Sequence, residues 1–316
     1  MTMKFAAALM WMLPLVSHAA GLDRKKAATP IEKAVCADAE LGKLDAQLAS
    51  AYDAATVQLS AQGRGLLRKG QRQWLAYRDA ACAGLEPSCL NNEYRGRLRD
   101  LQDAARRVGP FLFSRVDEFD ASRRDEEGRP IMVHVAAPRI DAPLSPAAMA
   151  WNAAMVEHIK VGMARDCESG GDEYDSFQVL GASKQLISVE HSDWAYCHGA
   201  AHGHGGAAGV NLLLTPKLRA MELADLFGDG DAWQQVLLDD SLTVLRAKND
   251  QVELDEAQVR SVVTCLDHWT LLPAGLRIVL NPYEVASYAF GSTEVIVPWA
   301  ELKPYLASNA PLPDAP

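Results

Sequence analysis

Apolar side chains recur every three or four positions along the first third of the chain. Leu41, Leu44, Leu48, Tyr52, Ala55 and Leu59 form one such stripe, and the spacing predicts a single long amphipathic helix. Its start is marked by Thr29-Pro30-Ile31-Glu32, where Thr29 can cap, Pro30 suits the first helical position and Glu32 can close a capping box. Gly63 and Gly65 interrupt the pattern. A second helix is predicted over about 66–81, with Leu67, Gln71, Trp74, Leu75 and Arg78 on one side, and a third over about 89–107 on Leu90, Tyr94, Leu98 and Leu101. The turn between them runs from Cys82 to Cys89, which are well placed to staple the helical hairpin.

Gly109-Pro110 ends this texture, and alternation replaces it. Residues 111–119 and 131–135 read as paired strands around the polar turn Asp125-Glu126-Glu127-Gly128. Ser145-Pro146 opens a helix carrying Met149, Ala153 and Val156. Strands are predicted over 178–189 and 210–214, flanking a glycine-rich connection, and Thr215-Pro216-Lys217 forms the next turn. A helix after Asp231 turns Trp233, Leu237 and Val244 inward. Two more strands cover 275–280 and 293–297, and a short closing helix covers 299–306. The fold class is therefore α+β overall. An N-terminal all-α, disulfide-stapled domain is expected over 23–108, a C-terminal α+β domain with a mixed or antiparallel sheet over 110–307, and a disordered tail over 308–316.

The first residues change the compartment. Lys4 precedes an apolar run over 5–16, and Ser17-His18-Ala19 offers a small-residue cleavage site, so 1–19 reads as a secretory signal peptide. Cleavage there leaves no cysteine at the new N-terminus, and no later apolar run approaches the roughly 18 residues that span a bilayer. A periplasmic or secreted protein without a membrane anchor is expected. All 6 cysteines follow the signal peptide, which favours disulfides, and the absence of a Cys-x-x-Cys pair argues against structural zinc.

Charge divides the chain. Residues 20–110 hold 15 Lys and Arg against 11 Asp and Glu, a balance of +4, whereas 111–316 hold 15 against 30, a balance of −15. An acidic surface disfavours nucleic acid and anionic membranes and suits a cationic partner; solubility alone is the plainer explanation.

The motifs for chemistry are sparse. Gly-x-Ser-x-Gly, His-Glu-x-x-His and Walker-type loops are absent, so a non-enzyme is expected, with no catalytic residue and no cofactor assigned. His198, His202 and His204 lie within seven positions of a glycine-rich stretch. Imidazoles are good ligands for a divalent ion, but nothing in the pattern orients these rings, and no metal is expected. Trp194 and Tyr196 beside them are either core rings or partly exposed anchors of a binding edge; burial is the better reading for Tyr196, and Trp194 stays open.

Thr29-Pro-Ile-Glu-Lys-Ala-Val-Cys36, Leu44-Asp45, Tyr52, Gln71-Arg72-Gln73-Trp74, Tyr77-Arg78-Asp79, Cys82 and Cys89 together resemble the LprI-type lysozyme-inhibitor domain. Two departures are Arg24, where the family has a cysteine, and the missing lipidation cysteine. Gly199-Ala-Ala-His202, Leu223-Ala-Asp-Leu-Phe227 and Asn281-Pro-Tyr283-Glu284-Val-Ala-Ser-Tyr288-Ala-Phe-Gly291, leading to Val295-Ile-Val-Pro298, are similar to the extracellular domain of the anti-sigma factor RsiV. That resemblance implies a binding domain, since RsiV senses lysozyme by direct contact. The resemblances together imply an exported, non-catalytic protein that binds lysozyme and inhibits it by covering its surface. A peptidoglycan or envelope-glycan binding module is the alternative, and a metal-binding envelope protein a third class. Candidate contacts are Trp194, Tyr196, His198, His202 and His204. With Arg24 in the family's cysteine position, Cys36 lacks a local mate; Cys197 and Cys265 both border predicted strands and are expected to pair, leaving Cys36 and Cys167 free or bridging the domains.

Overall fold

The computed structural model describes residues 27–162, 167 and 170–315; the expected signal peptide lies outside the described residues. The expected long first helix is two, α1 (Pro30–Ala37) and α2 (Ala39–Gln58). Thr29 and Glu32 close the capping box of α1, and Asp38 breaks the run because its carboxylate accepts from the backbone N–H groups of Glu40 and Leu41, capping α2. The next helix, α3 (Ala61–Ala81), begins earlier than its glycines suggest, capped by Ser60. After α4 (Pro87–Gln102) the expected helix stops, and β1 (Ala105–Val108) turns back on β2 (Phe111–Asp120).

Then follow β3 (Val133–Ala142), α5 (Pro146–Gly162), β4 (Gly171–Ala182), β5 (Leu186–Cys197), β6 (His204–Leu213) and β7 (Arg219–Ala220). The predicted strand over 178–189 is the hairpin of β4 and β5, with Ser183 N–H donating to the Leu186 carbonyl across the turn. The seven strands lie in chain order. Only β3 and β4 run parallel, joined through α5; the other pairs are antiparallel. The chain ends with α6 (Leu223–Leu226), α7 (Trp233–Lys248), α8 (Glu256–Val263), a second antiparallel sheet of β8 (Trp269–Leu271), β9 (Gly275–Leu280) and β10 (Thr293–Pro298), and α9 (Trp299–Leu302).

The second sheet is clamped on the first by polar groups in an apolar setting. Asn211 Nδ2 donates to the Trp269 carbonyl (2.8 Å), Ser188 Oγ accepts from Leu271 N–H (2.7 Å), and Arg277 pairs with Glu190. Gly209 permits this approach, because a Cβ there would fall on the Trp269 carbonyl oxygen. Phe227 stacks on Trp233, and Trp269 meets both rings edge-on, in the core beneath α7 and α8.

The expected boundary at 108–110 falls inside the turn of β1 and β2, and the two parts share a core. Phe119 of β2 is buried among Trp74, Leu90 and Leu101 of the helices, and its ring contacts Tyr77. Asp141 receives Ser60 N–H and Oγ (2.6 and 2.7 Å), while Arg97 reaches Asp117 (2.6 Å). Gly70 packs where a Cβ would stand 3.0 Å from the Asp117 carbonyl oxygen. The tail expected to be disordered is laid down instead: Pro311 and Pro313 are buried, Leu312 packs on the core, and Asp314 N–H donates to the Ala182 carbonyl (3.0 Å). Burial of these apolar side chains offsets the loss of chain entropy.

Cys82 and Cys89 form the disulfide of the helical hairpin. The expected pairing of Cys197 with Cys265 is corrected: Cys197 bonds to Cys167, and Cys36 and Cys265 are free thiols. Cys197 ends β5 opposite Gly171, the first residue of β4, so the chain just upstream brings Cys167 alongside it. Cys265 follows α8 and leads into β8, which contacts the β5–β6 pair at Ser188 and Asn211, near the end of the pair away from Cys197. Alkylation of unreduced protein should therefore modify the exposed Cys265 and leave Cys82, Cys89, Cys167 and Cys197 untouched. Peptide mapping that recovered a Cys197–Cys265 crosslink would reverse this connectivity.

Candidate functional site

The tip of the β5–β6 hairpin gathers the sequence's aromatic and histidine residues. Successive strand residues point to opposite faces, so Ala195 is buried while Trp194, Tyr196 and His198 share the other face. Trp194 and Tyr196 stack at 6.3 Å, and Tyr196 lies 6.1 Å from His198. Trp194 is 44 % exposed, which decides its reading as an outward ring; Tyr196 is half-buried.

The loop then folds Gly203 against the Trp194 indole. The Gly203 carbonyl accepts from Tyr288 Oη (3.1 Å) and lies 2.8 Å from His202 Nδ1. The His202 ring stacks on Tyr288 at 4.6 Å, and Tyr283 follows 5.4 Å beyond. Tyr283 is 69 % exposed, in a left-handed backbone conformation (φ 71°) that non-glycine residues rarely adopt. Strain of this kind collects at functional positions held by their surroundings. The surroundings here are explicit. The Asn281 side chain pairs with the Ala207 backbone like a neighbouring strand, accepting from its N–H (2.7 Å) and donating to its carbonyl (3.0 Å). Glu284 accepts from Asn281 N–H (2.6 Å) and Nδ2 (3.2 Å), and Gln258 donates to the Glu284 carbonyl (3.1 Å). In the Asn281-Pro-Tyr283-Glu284 motif, then, Asn281 and Glu284 anchor the turn and the tyrosines are presented. The result is a row of Tyr283, Tyr288, His202, Trp194 and Tyr196. Sequence reading missed Tyr283 and Tyr288 as surface residues; the available signal was two tyrosines set between a strand-capping Asn and a Glu.

The other two histidines go elsewhere. His204 is exposed at the start of β6, opposite Ala195. The His198 side chain is 6 % exposed, with Nδ1 2.6 Å from Asp125 and Nε2 3.2 Å from Asp172. Both ring nitrogens face carboxylates, so both donate only as the imidazolium. Burial, the largest influence, pulls its pKa down, but the bonds to Asp125 and Asp172 outweigh it and the net shift is upward. A raised value means that the strap from the 120–131 turn to the hairpin tip contributes fully below the ordinary histidine pKa of about 6.5 and is lost as the pH rises through the raised value. Histidine NMR titration should find His198 titrating above the ordinary value; a value at or below it would refute the double hydrogen bond.

Among the described residues, the side chains close enough to share a metal ion are Asp100, Asp117 and His134. Arg97 and Arg115 already occupy this cluster, at 2.6 and 2.8 Å from the Asp117 oxygens, and their charges oppose a cation there. Trp74, Arg78 and Tyr94 of the helical segment are likewise internal. Arg78 sits between Trp74 and Tyr94 and donates to Tyr94 Oη (3.0 Å), which donates to Asp45 (3.2 Å). Gln71 accepts from Arg97 (3.0 Å).

Residues 23–101 match the family described as lysozyme inhibitor LprI, and residues 224–300 match a protein family of unknown function, DUF3298. Lipoprotein LprI of Mycobacterium tuberculosis is 34 % identical over 102 residues, 31 % of this chain and 50 % of that protein; the Mycobacterium bovis protein matches to the same extent. The chain thus spans about half the length of the curated relatives it matches. Two solved DUF3298-family structures are similar in outline. One, from Pseudomonas aeruginosa, has 18 % identity and a TM-score of 0.45, covering 65 % of this chain and 98 % of that one. The other, from Bacteroides fragilis, has 17 % identity and a TM-score of 0.43, covering 65 % and 96 %.

Proposed function

We propose, from the lysozyme-inhibitor domain at residues 23–101, that this is an exported, non-catalytic protein that binds lysozyme and inhibits it by covering its surface. The family match of the helical segment carries the reading. The −15 balance of residues 111–316 supports it, because an acidic field accelerates encounter with a cationic enzyme and suppresses misdocking. The row from Tyr283 to Tyr196 is the proposed contact, since Tyr and Trp give large contact area with few rotors to freeze. His204 stands at its edge, and His198 supports the hairpin from beneath. Export rests on the signal peptide, and no helix among the described residues is long and apolar enough to cross a membrane.

The test is lysozyme turbidity clearance of purified cell walls, with and without the mature protein. Protection should rise with dose and saturate near equal molarity. Binding measured by calorimetry should weaken with salt, because at about 0.15 M ionic strength the screening length is about 8 Å and long-range steering fades. No binding to animal-type or bacterial-type lysozymes at low salt would end the proposal. The exposed rings also favour one other reading, stacking on the sugars of peptidoglycan. Sedimentation with purified peptidoglycan, in the absence of lysozyme binding, would select it.

A further inference from the structure

A cavity of about 270 Å³ opens where the end of α4, β1 and β2 meet β4, at the seam of the helices and the sheet. Arg99, Arg106 and Arg115 line it, with Asp100 and Asp103. Taken together these five charges sum to +1. Among the described residues no carboxylate forms an ion pair with Arg99 or Arg106, in contrast to the neighbouring Arg97 and Arg115. Arg115 Nη2 is buried and lies 3.0 Å from Asp100 Oδ1 without an aligned hydrogen bond. Phe113, Tyr174 and Phe177 are among the residues that line the cavity. Apolar walls with a few convergent polar groups are the usual makeup of a small-molecule site.

We propose that this cavity binds a small carboxylate carrying an apolar group, with Arg99 and Arg106 on the carboxylate, Arg115 at the floor and the aromatic walls around the apolar part. The volume limits the ligand to about the size of an amino acid, below the range of drug-sized pockets. The net +1 suits a monoanion better than a dianion. Guanidinium groups match a carboxylate by paired N–H donors, a fit that a point charge lacks. Burial, the largest influence on Asp100, pushes its carboxyl group up from the ordinary range. The site is built from the end of α4 and from β1, β2 and β4, so it is a property of the junction between the helices and the sheet. It does not depend on lysozyme binding.

N-acetylphenylalanine, titrated into the mature protein and followed by NMR, should bind saturably with a Kd of about 0.1–1 mM. Its amide, which lacks the charge, should bind at least about tenfold more weakly. A dipeptide ending in phenylalanine distinguishes sources: equal or tighter binding points to a peptide C-terminus, weaker binding to a free acid. Arg99→Gln and Arg106→Gln should each cost about tenfold in affinity while leaving the melting temperature unchanged, since both side chains are exposed. Should either variant fail to fold, the lysine variant keeps the charge and should bind more weakly than the native chain. The proposal is overturned if the carboxylate does not saturate by about 10 mM, if the amide binds equally, if phenyl phosphate binds more tightly, or if both arginine variants bind unchanged.

Discussion

Alanine in place of Asp117 should lower the unfolding free energy by about 3–5 kcal/mol, the usual cost of removing one partner from a buried ion pair. Asp117 lies on β2, its side chain 3 % exposed, facing the fully buried Arg97 of α4. One carboxylate oxygen takes Arg97 (2.6 Å) and the other takes Arg115 (2.8 Å) and His134 (3.1 Å). Burial would raise its pKa, but Arg115, His134 and Arg97 together hold it far below the ordinary carboxylate range. The depressed value gives the sign of the pH effect. The cluster contributes fully above the unfolded aspartate pKa of about 3.9, and the contribution is lost as pH falls through the folded value. Removal of the carboxylate also strands Arg97, whose guanidinium has no route to water, so the helices should loosen from the sheet. The double change Arg97→Met with Asp117→Leu, which removes both charges, should cost much less than Asp117→Ala alone. Denaturation midpoints that placed the double variant below the single one, or left the single one at the native value, would refute this account.

Trp194→Ala with Tyr288→Ala should weaken lysozyme binding by at least about a hundredfold, since each central aromatic anchor is worth about 2 kcal/mol or more and each 1.4 kcal/mol is tenfold. Trp194 rests against Gly203, and Tyr288 donates to the Gly203 carbonyl while stacking on His202. Loss of both removes the two rings and the contacts that hold the loop between them. Tyr288→Phe keeps the ring and loses one neutral hydrogen bond, so its effect should stay within about tenfold. Circular dichroism should be unchanged, because these side chains lie outside the core clusters. Native affinity in the double variant would move the contact to another surface and leave the turbidity result to be explained by the helical segment.

Isolating residues 111–316 would not assign the contact cleanly. Cutting there removes β1 from β2 and exposes Asp117 and Phe119, whose partners are Arg97 and the helical core. Point variants in the full chain avoid this, because they change the surface while the seam stays closed.

The row of exposed rings was half legible. Trp194, Tyr196 and His202 stood out by clustering around Cys197 in a glycine-rich stretch. Tyr283 and Tyr288 lie 74 or more positions beyond Gly203 in the chain, and only the pairing of Asn281 with Ala207, across a separation of 74, sets them beside the loop. His198 shows the converse. Its place in the sequence suggested a surface ligand, whereas Asp125, 73 positions earlier, draws it beneath the hairpin.

Local rules sufficed for what depends on neighbours in the chain. The Thr29–Glu32 cap, the helical stripe of Leu41, Leu44 and Leu48, the Cys82–Cys89 staple and the strands at 111–120 and 275–280 all follow from contacts within about one turn or one hairpin, where side-chain spacing and backbone preference act alone. Tertiary structure decided what depends on distant segments: that Gly63 and Gly65 sit inside α3, that Cys197 takes Cys167, that the tail is ordered and that the helices close their core with Phe119. The physical reason is that periodicity records which face of an element is apolar but not which other face will cover it. That choice is made by burial and by the pairing of charges such as Arg97 and Asp117, whose partners the sequence separates by 20 positions and the fold brings to 2.6 Å.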